Sequence, residues 1–162
     1  SISGILSLRT NSEIIENSFN RKKKFTTYSN PHLKGKKMKI AYIFRNNMAS
    51  TFQLSSMILP QLENKKHGVE VIGMMFFDDN LYVLAKGNEF GERLSKVAKE
   101  QKILLMMCDQ CAIRRGFGEG NFEQCGTGEI KAKGTVEGVI AGCFPQLYKA
   151  LSFNPPDQVI TL

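Results

Sequence analysis

No stretch of this 162-residue chain approaches the roughly 18–20 apolar residues that span a bilayer, so no membrane segment is expected. Residues 1–37 also lack the basic-then-apolar pattern of a secretory signal. Histidine is scarce. His32 lies in a basic N-terminal segment and His67 in a turn, away from strand ends, so no Ser–His–Asp constellation is expected. The loop Arg45–Ser50 contains no glycine, which argues against a P-loop or a dinucleotide-binding turn after the first strand. Gly116–Gly120 is glycine-rich but lacks G-x-G-x-x-G spacing. Four cysteines, unevenly spaced, are too few for a disulfide scaffold, so free thiols in a reducing cytoplasmic setting are expected.

What is present begins with charge. The chain carries 22 Lys and Arg against 15 Asp and Glu, a formal +7. Residues 1–37 hold eight of those bases and two of the acids, a local +6. The remaining fourteen bases and thirteen acids leave residues 38–162 at +1. The basic character therefore belongs to a linker-like composition, Arg21–Lys24, Asn30–Pro31 and Lys34–Lys37, and not to the domain that follows. Residues 1–37 read as a flexible extension, and any contact with nucleic acid is expected only through them.

From Met38 onward the pattern is strand, helix, strand. Lys39–Phe44 reads as a buried strand and Val69–Phe77 as a second, almost continuously apolar one, as parallel strands covered on both faces are. Between them residues 50–65 set Leu54, Ile58 and Leu62 on one helical stripe, with Pro60 expected to kink it. A short helix is expected over 79–86 and a clearer one over Glu89–Gln101, with Leu94, Val97 and Ala98 inward. Lys102–Met107 is the third strand. Residues 135–151 read as a helix with Val136, Val139, Ile140, Phe144 and Leu147 inward, and Asp157–Leu162 as a final strand after Pro155–Pro156. Strands alternating with helices predict an α/β domain over residues 38–162, its parallel sheet covered on both faces.

The chemistry concentrates where the third strand ends. Cys108 follows Ile103–Met107 directly, the position at which open α/β sheets gather ligands. A thiolate there is favoured by nearby backbone N–H groups and by Arg114 and Arg115, and disfavoured by Asp109. The plain alternative is a small buried residue. Cys108-x-x-Cys111 also has the spacing of a dithiol redox pair, and Cys108, Cys111, Cys125 and Cys143 together would supply four thiolates to zinc. Cys143, however, falls on an apolar helical pattern that reads as core. The glycines around Cys125 read either as a loop closing over the Cys108 site or as a plain surface loop. Asp78 and Asp79 follow the second strand, where capping the next helix is their ordinary role.

Cys108 followed by Ala112–Ile113–Arg114–Arg115–Gly116 resembles the C-x-x-x-A-[LI]-x-R-G stretch of the DsrE/DsrF-like family, above all its TusD/DsrE branch. Collinear with it are Met38–Phe44, Phe76–Phe77 with Asn80–Leu81–Tyr82, and Asp157–Ile160, so the resemblance covers about residues 38–162. It implies a three-layer α/β/α sandwich around a mainly parallel sheet of about five strands. It also implies a sulfur-relay protein whose Cys108 accepts persulfide sulfur from a donor protein and passes it to an acceptor. Arg114 and Arg115 would steady the anionic sulfur, and Cys111 would resolve or relay it. No organic cofactor is implied, and assembly as a homo- or hetero-oligomer, a trimer or hexamer, is expected. Cys111 and the basic extension depart from the family pattern. The competing readings are a non-catalytic assembly subunit and a cysteine-ligated zinc protein.

Overall fold

Lys39–Phe44 forms β1, and its near-continuous burial follows from its place inside the sheet, with a parallel neighbour on either side. A computed structural model describes residues 35–162. The expected basic extension over 1–37, with its nucleic-acid contacts, falls almost wholly outside those residues. After β1 the chain winds through a π-helical segment, Ala49–Ile58, into α1 (Leu59–Glu63) and then β2 (Glu70–Phe76). A 3-10 turn, Asp78–Leu84, leads to α2 (Glu89–Gln101), β3 (Leu104–Cys108) and α3 (Asp109–Arg114). The glycine-rich stretch holds two short strands, β4 (Gly118–Glu119) and β5 (Lys131–Ala132), paired antiparallel. The chain then runs through β6 (Val139–Gly142), α4 (Phe144–Phe153) and β7 (Gln158–Thr161).

The main sheet has five strands in the order β6-β3-β2-β1-β7, every pairing parallel. The expected α/β class with about five strands is therefore observed. One face presents Tyr42, Phe44, Met74, Phe76, Leu105 and Met107 to the π segment, α1 and α2. Phe44 and Phe76 stack there with ring centroids 4.8 Å apart. The other face carries Met75, Met106 and Cys108 against Leu147 and Leu151 of α4. Since β7 returns to the far side of β1, strand order reverses at β1. The carboxyl ends of the strands then border the region where ligands bind in such sheets.

Two expectations need correcting. Residues 135–151 are not one helix. Val139–Gly142 pairs with β3, and the helix starts only at Phe144, where Pro145 fits the first turn because its missing N–H is one that would go unbonded anyway. Val136, Val139 and Leu147 are buried as expected, but Ile140 and Phe144 are exposed. Pro60 does not bend a uniform helix. It sits in the first turn of α1, where the winding changes from π to α, and Leu54, Ile58 and Leu62 still form one buried stripe.

Within α2, Asn88 caps the helix by accepting the N–H groups of Phe90 and Gly91 at 3.0 and 3.1 Å. Gly91 packs so closely that a methyl group in its place would run into the carbonyl oxygen of Val83. At the opposite end of the sheet, the Tyr42 hydroxyl meets His67 Nε2 at 2.7 Å, and His67 Nδ1 meets Gln61 Oε1 at 2.8 Å. Gln61 Oε1 only accepts, so Nδ1 carries the proton and Tyr42 donates to Nε2. As expected, this histidine stands apart from the cysteines.

Candidate functional site

The end of β3 places Cys108 and Cys111 on one turn. Cys108 is the last strand residue and caps α3, its Sγ accepting the Cys111 N–H at 3.5 Å. It is only 8% exposed, packed on the α4 side of the sheet. Cys111, three residues on, is half-buried. Its Sγ accepts the backbone N–H of Asp78 at 3.3 Å and lies 3.7 Å from Asp78 Oδ1. All four cysteines of the chain are free.

The two thiols differ in acidity. Cys111 is lowered to about 7, first by its hydrogen bond with the Cys108 thiol, then by the Asp78 N–H and the Arg115 charge, working against burial. The same hydrogen bond and burial push Cys108 well above an ordinary thiol, only partly offset by the Cys111 N–H. Cys111 is therefore the more acidic thiol of the two.

Both cysteines open onto a recess of about 480 Å³. Asp78, Asp79 and Tyr82, from the turn after β2, line it together with Arg114, the last residue of α3, and Arg115, which follows it. Arg115 Nε and Nη2 reach Asp79 Oδ1 at 3.0 and 2.9 Å, Nη2 lies 3.6 Å from Asp78 Oδ1, and Nη1 donates to the Cys111 carbonyl at 3.4 Å. Arg114 is set apart. Its guanidinium lies 5.2 Å from the Phe122 ring centroid and makes no ion pair among the described residues. The expectation that Asp78 and Asp79 cap the next helix is corrected, since no side chain caps that turn and both carboxylates face Arg115.

Asp109 is fully buried and anchors the neighbouring loop. Its Oδ1 accepts the Gln110 N–H at 2.7 Å and its Oδ2 the Gly126 N–H at 2.6 Å. Gln146 holds the other side of Gly126, donating to its carbonyl at 2.9 Å while its Oε1 accepts the Cys143 N–H at 2.9 Å. The loop around Cys125 is thus tied down at Gly126. Cys143 precedes α4 and is half-buried instead of sitting inside a helix as core. Among the described residues, no group of three or more His, Cys, Asp or Glu side chains is arranged to hold a metal ion. The four-thiolate zinc arrangement is not assembled among them, and the Cys111 sulfur instead faces Asp78.

Sequence reasoning found Cys108, Cys111, Arg114 and Arg115 together, and the structure brings all four to the recess. It missed Tyr82 and Gln110 as lining residues and the Asp78 N–H as a donor to sulfur. The only available signal was Asp78–Asp79 standing directly after an apolar strand.

No family model matches the chain, and no curated protein matches it in sequence. Among solved structures, that of the ychN protein from E. coli matches with a TM-score of 0.50 at 13% identity. The match covers 78% of this chain and 99% of that one. This is a likeness of fold alone.

Proposed function

We propose that this chain carries sulfane sulfur, taking it as a cysteine persulfide at the Cys108–Cys111 site and handing it to a partner protein. One observation carries the reading. Two free thiols, one of them with its pKa lowered to about 7, line a polar recess together at the carboxyl end of β3. A thiolate is what attacks a persulfide, and the product anion needs N–H groups and positive charge around it. The Asp78 N–H and Arg115 supply these beside Cys111, and the Cys111 N–H does so for Cys108. The resemblance to the DsrE/DsrF-like family assigns Cys108 as the sulfur-holding residue, and the fold is compatible with it.

The same proposal includes a reducing, cytoplasmic setting and assembly into an oligomer. No helix among the described residues is long and apolar enough to cross a membrane. Phe144 and Tyr148 on α4, with Val159 and Ile160 on the edge strand β7, are exposed, which supports a surface that other subunits cover.

The test is direct. The full chain is incubated with a cysteine desulfurase and cysteine, and its intact mass is measured. A gain of one sulfur atom is expected, kept in Cys143→Ser and absent in the double variant Cys108→Ser/Cys111→Ser. No gain in the unaltered chain, with the desulfurase active, refutes the carrier reading.

A further inference from the structure

Cys111 and Cys108 occupy unequal positions. Cys108 is nearly closed off by the sheet and α4, whereas Cys111 stands one turn outward at the recess. A persulfide carried on another molecule has to bring its outer sulfur within bonding distance of the attacking thiol. Cys111, the less buried of the two, offers that approach more readily. The two positions are also close enough to exchange an atom. Residues i and i+3 of a helical turn lie about 5 Å apart between Cα atoms, inside the range that disulfides bridge. The 3.5 Å contact from the Cys111 N–H to Cys108 Sγ shows the inner thiol facing the outer residue.

We infer that sulfur enters this site through Cys111 and reaches Cys108 by an internal transfer, so that the two thiols work in series. This rests on the carrier reading above. The Cys111 thiolate attacks the outer sulfur of a donor persulfide, R–S–SH. The donor S–S bond breaks, R–S⁻ leaves, and Cys111 becomes Cys111–S–SH. The Cys108 sulfur then bonds to that outer sulfur, the bond to Cys111 breaks, and Cys111 departs as thiolate with the Cys108 proton released to water. Neither step needs an oxidant or reductant, because one S–S bond replaces another each time.

Acidity sets the direction. The more acidic thiol attacks more readily at neutral pH, and it is also the better leaving group. Cys111, near 7, suits both the first attack and the second departure, while the more basic Cys108 is the better holder. Holding the sulfur on Cys108 also removes it from stray thiols, since that position is buried. The receiving end of the site is then the Asp78–Arg115 recess, which faces the donor.

Glutathione persulfide serves as the probe, with the full chain, rapid quenching and location of the added sulfur by fragmentation mass spectrometry. Sulfur is expected on Cys111 first and on Cys108 later. Cys108→Ser retains the sulfur on Cys111, and Cys111→Ser loads Cys108 at least about tenfold more slowly. Loading of Cys108 in Cys111→Ser at the unaltered rate overturns the serial order while leaving the carrier reading intact. Sulfur on neither thiol of the unaltered chain removes the carrier reading itself. Iodoacetamide on the unaltered chain provides a check free of substitutions. Cys111 should be alkylated first, with a midpoint near pH 7, and alkylation of Cys108 before Cys111 overturns the order.

Discussion

Asp78 serves the site through both its backbone and its side chain. Its N–H points at Cys111 Sγ, its carboxylate faces Arg115, and its backbone holds a left-handed φ of 49°. Arg115 neutralises Asp78 and Asp79 next to the thiol, so Arg115→Gln should leave two uncompensated carboxylates there. The alkylation midpoint of Cys111 is expected to rise by about half a unit to one unit, and an unmoved midpoint would show the arginine to be irrelevant to the thiol. A second residue-scale prediction concerns His67, whose pKa burial holds below 6.5. The unfolded chain then binds this proton more readily than the folded one, so stability should be full above about pH 6.5 and fall as pH drops toward the lowered value. Urea midpoints compared at about pH 7.5 and 5.5 should converge in His67→Gln, because the substitution removes the titration. The contiguous part of the site was legible because Cys108 through Arg115 are consecutive in the sequence. Asp78 was not, since only the register that sets Phe76 beside Met107 carries it across from a segment thirty-odd residues away.

Among the elements, α2 was read to the residue from its clean apolar stripe, and the structure adds an Asn88 cap and an αL residue, Lys102, at its end. The stretch after Gly134 misled for the opposite reason. Val139–Gly142 is too short to show a period, and its apolar residues continue the helical spacing of those that follow. What settles it is the open edge of β3, which no local pattern displays. Close packing of α2 makes Gly91→Ala costly, because the added methyl has to displace the Val83 carbonyl. About 1–3 kcal/mol of stability should be lost, seen as a lower urea midpoint with an unchanged slope. The glycine-rich loop depends on Asp109 in a different manner. Asp109→Ala leaves the Gly126 N–H without its acceptor, at an expected cost of about 1–3 kcal/mol. Proteolysis should then concentrate around Gly126. A loop no more sensitive than in the unaltered chain would mean that Gln146 alone suffices to hold it.

At the scale of the molecule, among the described residues, one face of the sheet is thickly covered and the other packs against α4. Apolar side chains left at the surface by that imbalance include Tyr148, Phe153 and Ile160. If subunits cover them, light scattering should give a multiple of the 18.2 kDa chain mass, and Ile160→Lys should move the population toward the single chain. A monodisperse single chain before substitution would refute the oligomer.

The placement of β7 has a consequence in time. Its partner is the first strand, and the anchoring bond from the Lys39 N–H to Asp157 spans 118 residues. That pairing has to wait until the intervening chain has been synthesised, so the β7-facing edge of β1 stays exposed until residues 158–161 emerge. An unpaired edge flanked by Tyr42 and Phe44 is a template for pairing with a neighbouring nascent chain. Slow elongation ahead of Gln158 should therefore lower the yield of soluble protein even though the finished fold is unchanged.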